Sequence, residues 1–221
     1  MDSEAEAKIN RKFDLAYVMA KENIAFTNMK PLCQLEERHG VDLGETYKTD
    51  MACSTFVDYI ARNLRDNLSK TLQEAHFFSV QVDGSTDCAN LEEELFMAVY
   101  FDSHSSDGSV HIRNRFLCIR QPESVDAAGL YKCFNRAMAH LTLDSKPSKL
   151  IGFGCDGASV NMGANALKGC LQSEHPWIVT FWCLAHRLEL SLKDALRNTL
   201  FSTIDDILLR IYYVYSKAPK K

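Results

Sequence analysis

The spacing of apolar residues along this chain first changes period near residue 77. Before it the pattern is helical. Ile9, Phe13, Ala16, Tyr17 and Ala20 recur at helical intervals after Asp2 or Ser3, either of which can cap a first helix. Pro31 opens a short second helix that Gly40 ends. Asp50 can cap a third, whose stripe is Phe56, Ile60, Leu64, Leu68 and Leu72. Core packing is the ordinary explanation of that stripe.

After residue 77 the period shortens to two. Phe78, Val80 and Val82 alternate with Ser79 and Gln81, which predicts a strand. ELFMAVYF (94–101) is a second strand, DSHSSDGS (102–109) a turn-rich loop, and VHIRNRFLCI (110–119) a third strand. Three consecutive strands with short connections predict an antiparallel meander. A helix follows with Leu130, Phe134, Ala137 and Leu141 on one face, after the capping residues Ser124 and Asp126. LIGFGC (150–155) is a short fourth strand, ASVNMGANALKGCLQ (158–172) a helix leaving its end, and WIVTFWC (177–183) a fifth strand. From Leu184 to about Ser216 the pattern is helical again, through Leu188, Leu192, Leu196, Leu200, Ile204, Leu208, Ile211 and Tyr215. The expected organisation is an N-terminal helical region (1–76), an α/β core (77–183) and C-terminal helices (184–221).

Composition narrows the class. With 46% hydrophobic and 10% aromatic residues, a chain of 221 residues can bury a core without disulfide or metal staples. Its 25 basic and 29 acidic residues argue against affinity that rests on a concentrated basic surface. The eight cysteines, at 33, 53, 88, 118, 133, 155, 170 and 183, are scattered and form no CxxC pair, so reduced, mostly buried thiols are expected. The acidic N-terminus is no signal peptide, and the longest apolar run falls far short of the roughly 20 residues of a membrane span. A soluble intracellular protein, nuclear or cytoplasmic, is the expectation; the basic tail SKAPKK is too short to decide between them.

Two carboxylates interrupt the apolar pattern. Asp83 stands at the end of the first strand and Asp156 at the end of the fourth, each followed by Gly and a small residue. If those strands are neighbours, both carboxylates face one pocket, where they repel unless a cation lies between them. Mg²⁺ suits such an oxygen-only site, and metal ions can clamp the oxygens of a phosphoryl transfer. An Asp after a strand is equally a turn former or helix cap, and Asp156 before Gly157-Ala158-Ser159 fits that role too. Cys183 and His186 stand three apart at the start of the last helical segment. A zinc site would need a second pair of ligands. A buried Cys183, with His186 bonded to a neighbouring loop, is the favoured reading.

Three blocks occur in order: FFSVQVDGSTD, LIGFGCDGASVNMG and FWCLAHRLELSLKDAL. Together they resemble the catalytic core of hAT-superfamily DNA transposases, and more narrowly the domesticated hAT-derived proteins encoded in vertebrate genomes. AKENIAFTNMKPLCQLEERHGVDLG resembles the helical region before that core, so the likeness covers roughly residues 12 to 215. It implies an RNase H-like mixed sheet, a three-strand antiparallel meander plus two further strands. It implies Asp83 and Asp156 as the first two ancestral catalytic carboxylates and Mg²⁺ ligands, and Cys183 and His186 as the family's CxxH element, of unknown role. Ser85, Thr86, Asn161 and Met162 fall inside the motifs with no chemistry assigned.

The departures from that family set the functional expectation. The resemblance implies a third carboxylate, a Glu on a helix beyond a long insertion, and Lys221 stands where that insertion would begin. Glu189, Asp194, Asp205 and Asp206 are acidic but not in its context. A BED-type zinc finger and the C-terminal dimerisation region have no counterpart in the sequence. The expectation is therefore a truncated, domesticated protein without catalytic activity and without a required cofactor, acting as a binding module. Its partners would be proteins, related transposase-derived ones among them. Ile211, Tyr212 and Tyr215 are either its contact face or core of this chain. The rival is a residual Mg²⁺-dependent nuclease or a weak DNA-binding domain.

Overall fold

The computed structural model describes residues 3–86, 91–102, 109–143, 147–163, 166–197 and 199–216. Asp2, Cys88, most of the 102–109 loop and the basic tail from Lys217 lie outside them. The chain forms two compact units, Met1–Thr71 and Leu72–Lys221. No helix among the described residues is long and apolar enough to cross a membrane.

The first unit is helical. It contains α1 (Ser3–Lys21), α2 (Met29–Arg38) and the first part of α3 (Asp50–Glu74). Its core is Ala16, Met19, Met29, Cys33, Leu43, Cys53 and Phe56, with Phe13 stacked on Phe56 at 4.4 Å between ring centres. The buried face of α1 is rotated from the one predicted: Lys12, Ala16 and Met19 are inside, while Tyr17 and Ala20 are exposed. A lysine can take a core position here because its Nζ donates to Leu43 O (2.9 Å) and Thr46 O (3.0 Å). Pro31 lies in the first turn of α2, where its missing N–H costs nothing, and Gly40 (φ +84°) stops the helix. Thr49 rather than Asp50 caps α3, its Oγ1 accepting from Ala52 N at 3.2 Å. Along the α3 stripe Phe56 and Leu72 are buried, and Leu64 between them is exposed.

The second unit is built on a five-stranded sheet. The strands are β1 (Phe78–Thr86), β2 (Glu92–Asp102), β3 (His111–Arg120), β4 (Leu150–Cys155) and β5 (Val179–Trp182), in spatial order β3-β2-β1-β4-β5. β1–β2 and β2–β3 pair antiparallel, as the predicted meander requires; β1–β4 and β4–β5 pair parallel. This is the mixed sheet implied by the resemblance. Helix α4 (Ala127–His140) covers one face. Its Phe134 stands 6.2 Å from Phe96 and 6.0 Å from Phe153, centre to centre, over buried Val80, Val82 and Ala98. Asp126 caps α4 by accepting from Gly129 N at 2.7 Å.

Two predicted helices are broken. The 158–172 segment divides into α5 (Ser159–Met162) and α6 (Leu167–Glu174), because Gly163 takes an extended backbone. The C-terminal segment divides into α7 (Leu184–Leu196) and α8 (Leu200–Ser216). Arg197 leaves the helical region at φ −58°, ψ 134°, and Thr199 Oγ1 accepts from Phe201 N to begin α8.

Candidate functional site

Asp83 is not the last residue of its strand: β1 continues to Thr86 on β2 alone. What ends before Asp83 is the pairing with β4, whose last couple is Gln81↔Gly154. Asp83 and Asp156 each stand two residues beyond that couple, on neighbouring parallel strands. Period-two alternation then sets both on the sheet face away from α4. There they line one cavity of about 750 Å³, together with Gln81, Leu95, Met97, Phe181, Trp182, Cys183, His186 and Glu189.

The two carboxylates are held differently. Asp156 Oδ1 accepts from Ala158 N (3.1 Å) and Asn161 Nδ2 (2.7 Å), so it shapes the turn into α5. Both roles read from the sequence thus fall on one residue: Asp156 organises the turn and also faces the cavity. Asp83 is exposed and makes no side-chain hydrogen bond among the described residues. Gly157 allows the close approach of Trp182, since a Cβ there would lie 2.1 Å from the indole. The Arg187 guanidinium lies over the same indole, 5.6 Å from a ring centre.

Cys183 and His186 also reach the cavity wall, but not in the arrangement favoured from the sequence. Cys183 is exposed, because β5 is an edge strand and α7 leaves it uncovered. Among the described residues His186 bonds no loop; its Nδ1 lies 3.7 Å from Glu189 Oε2, one turn along the same helix. Glu189 also reaches the cavity, although its position in the sequence does not mark it. Its Oε1 accepts from Lys193 Nζ at 2.6 Å, which holds the Glu189 carboxyl below the usual carboxylate range.

Glu94 was missed altogether. It lies on the α4 face of β2 with Phe96 and Ala98, is 6% exposed, and its Oε2 has no hydrogen-bond partner among the described residues. Burial, then the charges of Asp156, Glu92 and Asp83, push its carboxyl up to about 7. Alternation in EELFMAVYF carries the signal, for it places one carboxylate in phase with Phe96, Ala98 and Tyr100.

As a metal site the cavity offers oxygen donors of the right kind for Mg²⁺, Asp83 and the uncommitted oxygen of Asp156. Among the described residues no three His, Cys, Asp or Glu side chains are grouped closely enough to hold one ion. Residues 45–168, more than half of the chain and including both aspartates, match the family described as the ZMYM1/FAM200, RNase-like domain, DUF4371. With a mixed five-stranded sheet and this match, the chain belongs to the ZMYM1/FAM200 RNase-like domain family, a transposase-derived RNase H-like family.

Proposed function

We propose that this chain is a domesticated hAT transposase-derived module that works by binding proteins, with its ancestral phosphoryl-transfer site no longer catalytic. One observation carries the reading. Neither α7 nor α8 buries a described side chain, although the two helices bear Leu184, Leu188, Leu192, Ile204, Leu208, Ile211, Tyr212 and Tyr215. So many exposed large apolar side chains on two consecutive helices favour an interaction surface over an ordinary solvated face. The cavity supports the same conclusion. Its Glu189 is engaged with Lys193, and one Asp156 oxygen is committed to the α5 turn. A metal held by what remains would be bound weakly and would place a nucleophile poorly.

The second reading, a residual Mg²⁺-dependent nuclease, is favoured by the convergence of Asp83 and Asp156 on one cavity. Incubating supercoiled DNA with the protein and Mg²⁺ or Mn²⁺ separates the two. The expected result is no nicking above that of Asp83→Ala. Nicking abolished by Asp83→Ala would establish the nuclease. The binding role is read in parallel, by retention of cell proteins on the immobilised chain. Retention should fall in a Leu188→Glu/Leu208→Glu variant with unchanged cooperative unfolding.

A further inference from the structure

Helix α8 carries a heptad seam. Leu200, Ile204, Ile207, Ile211 and Val214 follow one another at intervals of 4, 3, 4 and 3, and every one of them is exposed. At 100° per residue, Asp206 and Arg210 fall on the same flank of this seam, one turn apart. Neither forms an ion pair or a side-chain hydrogen bond among the described residues. Asp205 lies on the opposite flank, where its charge acts on Lys193 of α7.

From this arrangement we infer that the occupant of the α8 face is a second copy of the chain, docked antiparallel about a two-fold axis. The inference rests on the binding-module reading and names its partner. A pairing that sets Ile207 of each copy against Ile211 of the other also sets Ile204 against Val214, so apolar residues fill successive layers. In that register Arg210 lies about two residues, or ~3 Å along the axis, from Asp206 of the second copy. In an antiparallel pair like flanks face each other, so the two-fold axis makes this ion pair twice. A parallel pairing puts Arg210 beside the second copy's Leu208 and Tyr215 flank and makes neither. Charge complementarity therefore selects the antiparallel self-pairing.

Sedimentation equilibrium on the full chain tests it. The expected result is a dimer at micromolar concentration that Ile207→Glu converts to monomer. Should that variant fail to fold, Ile211→Glu reads the same seam. Asp206→Arg alone and Arg210→Asp alone each place like charges across the axis, and each should weaken the dimer at least tenfold. Mixed together, they restore both ion pairs as a heterodimer and should recover the lost affinity. A monomeric wild-type chain overturns the inference. So does association indifferent to Ile207→Glu, or a mixture no tighter than its components. None of these results touches the binding-module reading, which falls instead to nicking that depends on Asp83.

Discussion

Glu94 lies directly across the β1–β2 ladder from Gly84, and its carboxylate fills the space a side chain at 84 would take: a Cβ there would stand 3.1 Å from Oε1. The buried acid sits at about 7, above its ordinary 4.5, first because of burial and then because of Asp156, Glu92 and Asp83. The folded chain therefore keeps a proton that the unfolded chain releases as pH passes 4.5. This group's contribution to stability is full below that pH and is lost as pH rises toward 7, by roughly 3 kcal/mol. Glu94→Gln should flatten the pH dependence in that window and make the protein more stable than wild type above it, by about 1–3 kcal/mol. Urea midpoints at acidic and mildly alkaline pH check both statements. An unchanged slope would show that Glu94 does not titrate across the window.

The two aspartates should respond unequally to truncation. Asp156→Ala removes the acceptor for Ala158 N and Asn161 Nδ2 and should cost roughly 1–2 kcal/mol. Asp83→Ala removes an exposed carboxylate without a side-chain hydrogen bond among the described residues, and should change stability by less than about 0.5 kcal/mol. Because both charges raise the Glu94 pKa, each variant should also lower it, Asp156→Ala by more. Thermal unfolding and carboxyl-selective NMR titration measure the two effects independently. Equal destabilisation by both substitutions would contradict the division of roles.

The sheet was legible because alternation and turn chemistry agree along 78–120, and the β4 boundaries, Leu150 and Cys155, match the sequence reading. The convergence of Asp83 and Asp156 was legible only as a condition, that β1 and β4 be neighbours; periodicity does not encode strand order. Three features escaped. WIVTFWC reads as a strand ending on a buried cysteine, yet β5 is an edge strand with Val179, Phe181 and Trp182 exposed, and Cys183 follows them into solvent. Tyr17 fits the helical stripe as well as Met19 does, and periodicity does not foresee that Lys12 can be buried on two carbonyls beside Ala16 and Met19. Glu94 hides in a run whose two faces are both mainly apolar, so that its phase carries the information and its neighbours do not.

Lys12 gives the first unit a polar anchor inside an apolar core. Its Nζ satisfies Leu43 O and Thr46 O, and burial lowers its pKa. Lys12→Ala leaves both carbonyls without that donor and deletes the buried stem, and should cost roughly 2–4 kcal/mol. Lys12→Met keeps most of the volume and loses the two bonds and the cation 5.7 Å from the Tyr47 ring centre, so it should cost less. Denaturant unfolding of both variants gives the order. A methionine variant worse than the alanine one would mean that an apolar terminus beside the two carbonyls costs more than the retained stem contributes.

Trp182 closes one side of the cavity by lying against the backbone of Gly157. A methyl group at 157 would stand 2.1 Å from Cε2 and 2.2 Å from Cζ2 of the indole, so the ring has to move. Gly157→Ala should therefore cost roughly 1–3 kcal/mol, displace Trp182 toward solvent and loosen its stacking with Arg187. The chain has two tryptophans, and Trp177 reports from elsewhere, its Nε1 donating to Leu150 O at 3.1 Å. In a Trp177→Phe background the emission of Trp182 alone is visible. Gly157→Ala should shift that emission to the red and increase its quenching by iodide. If neither changes, the indole does not rest on residue 157, and the cavity wall beside Asp156 is not set by that contact.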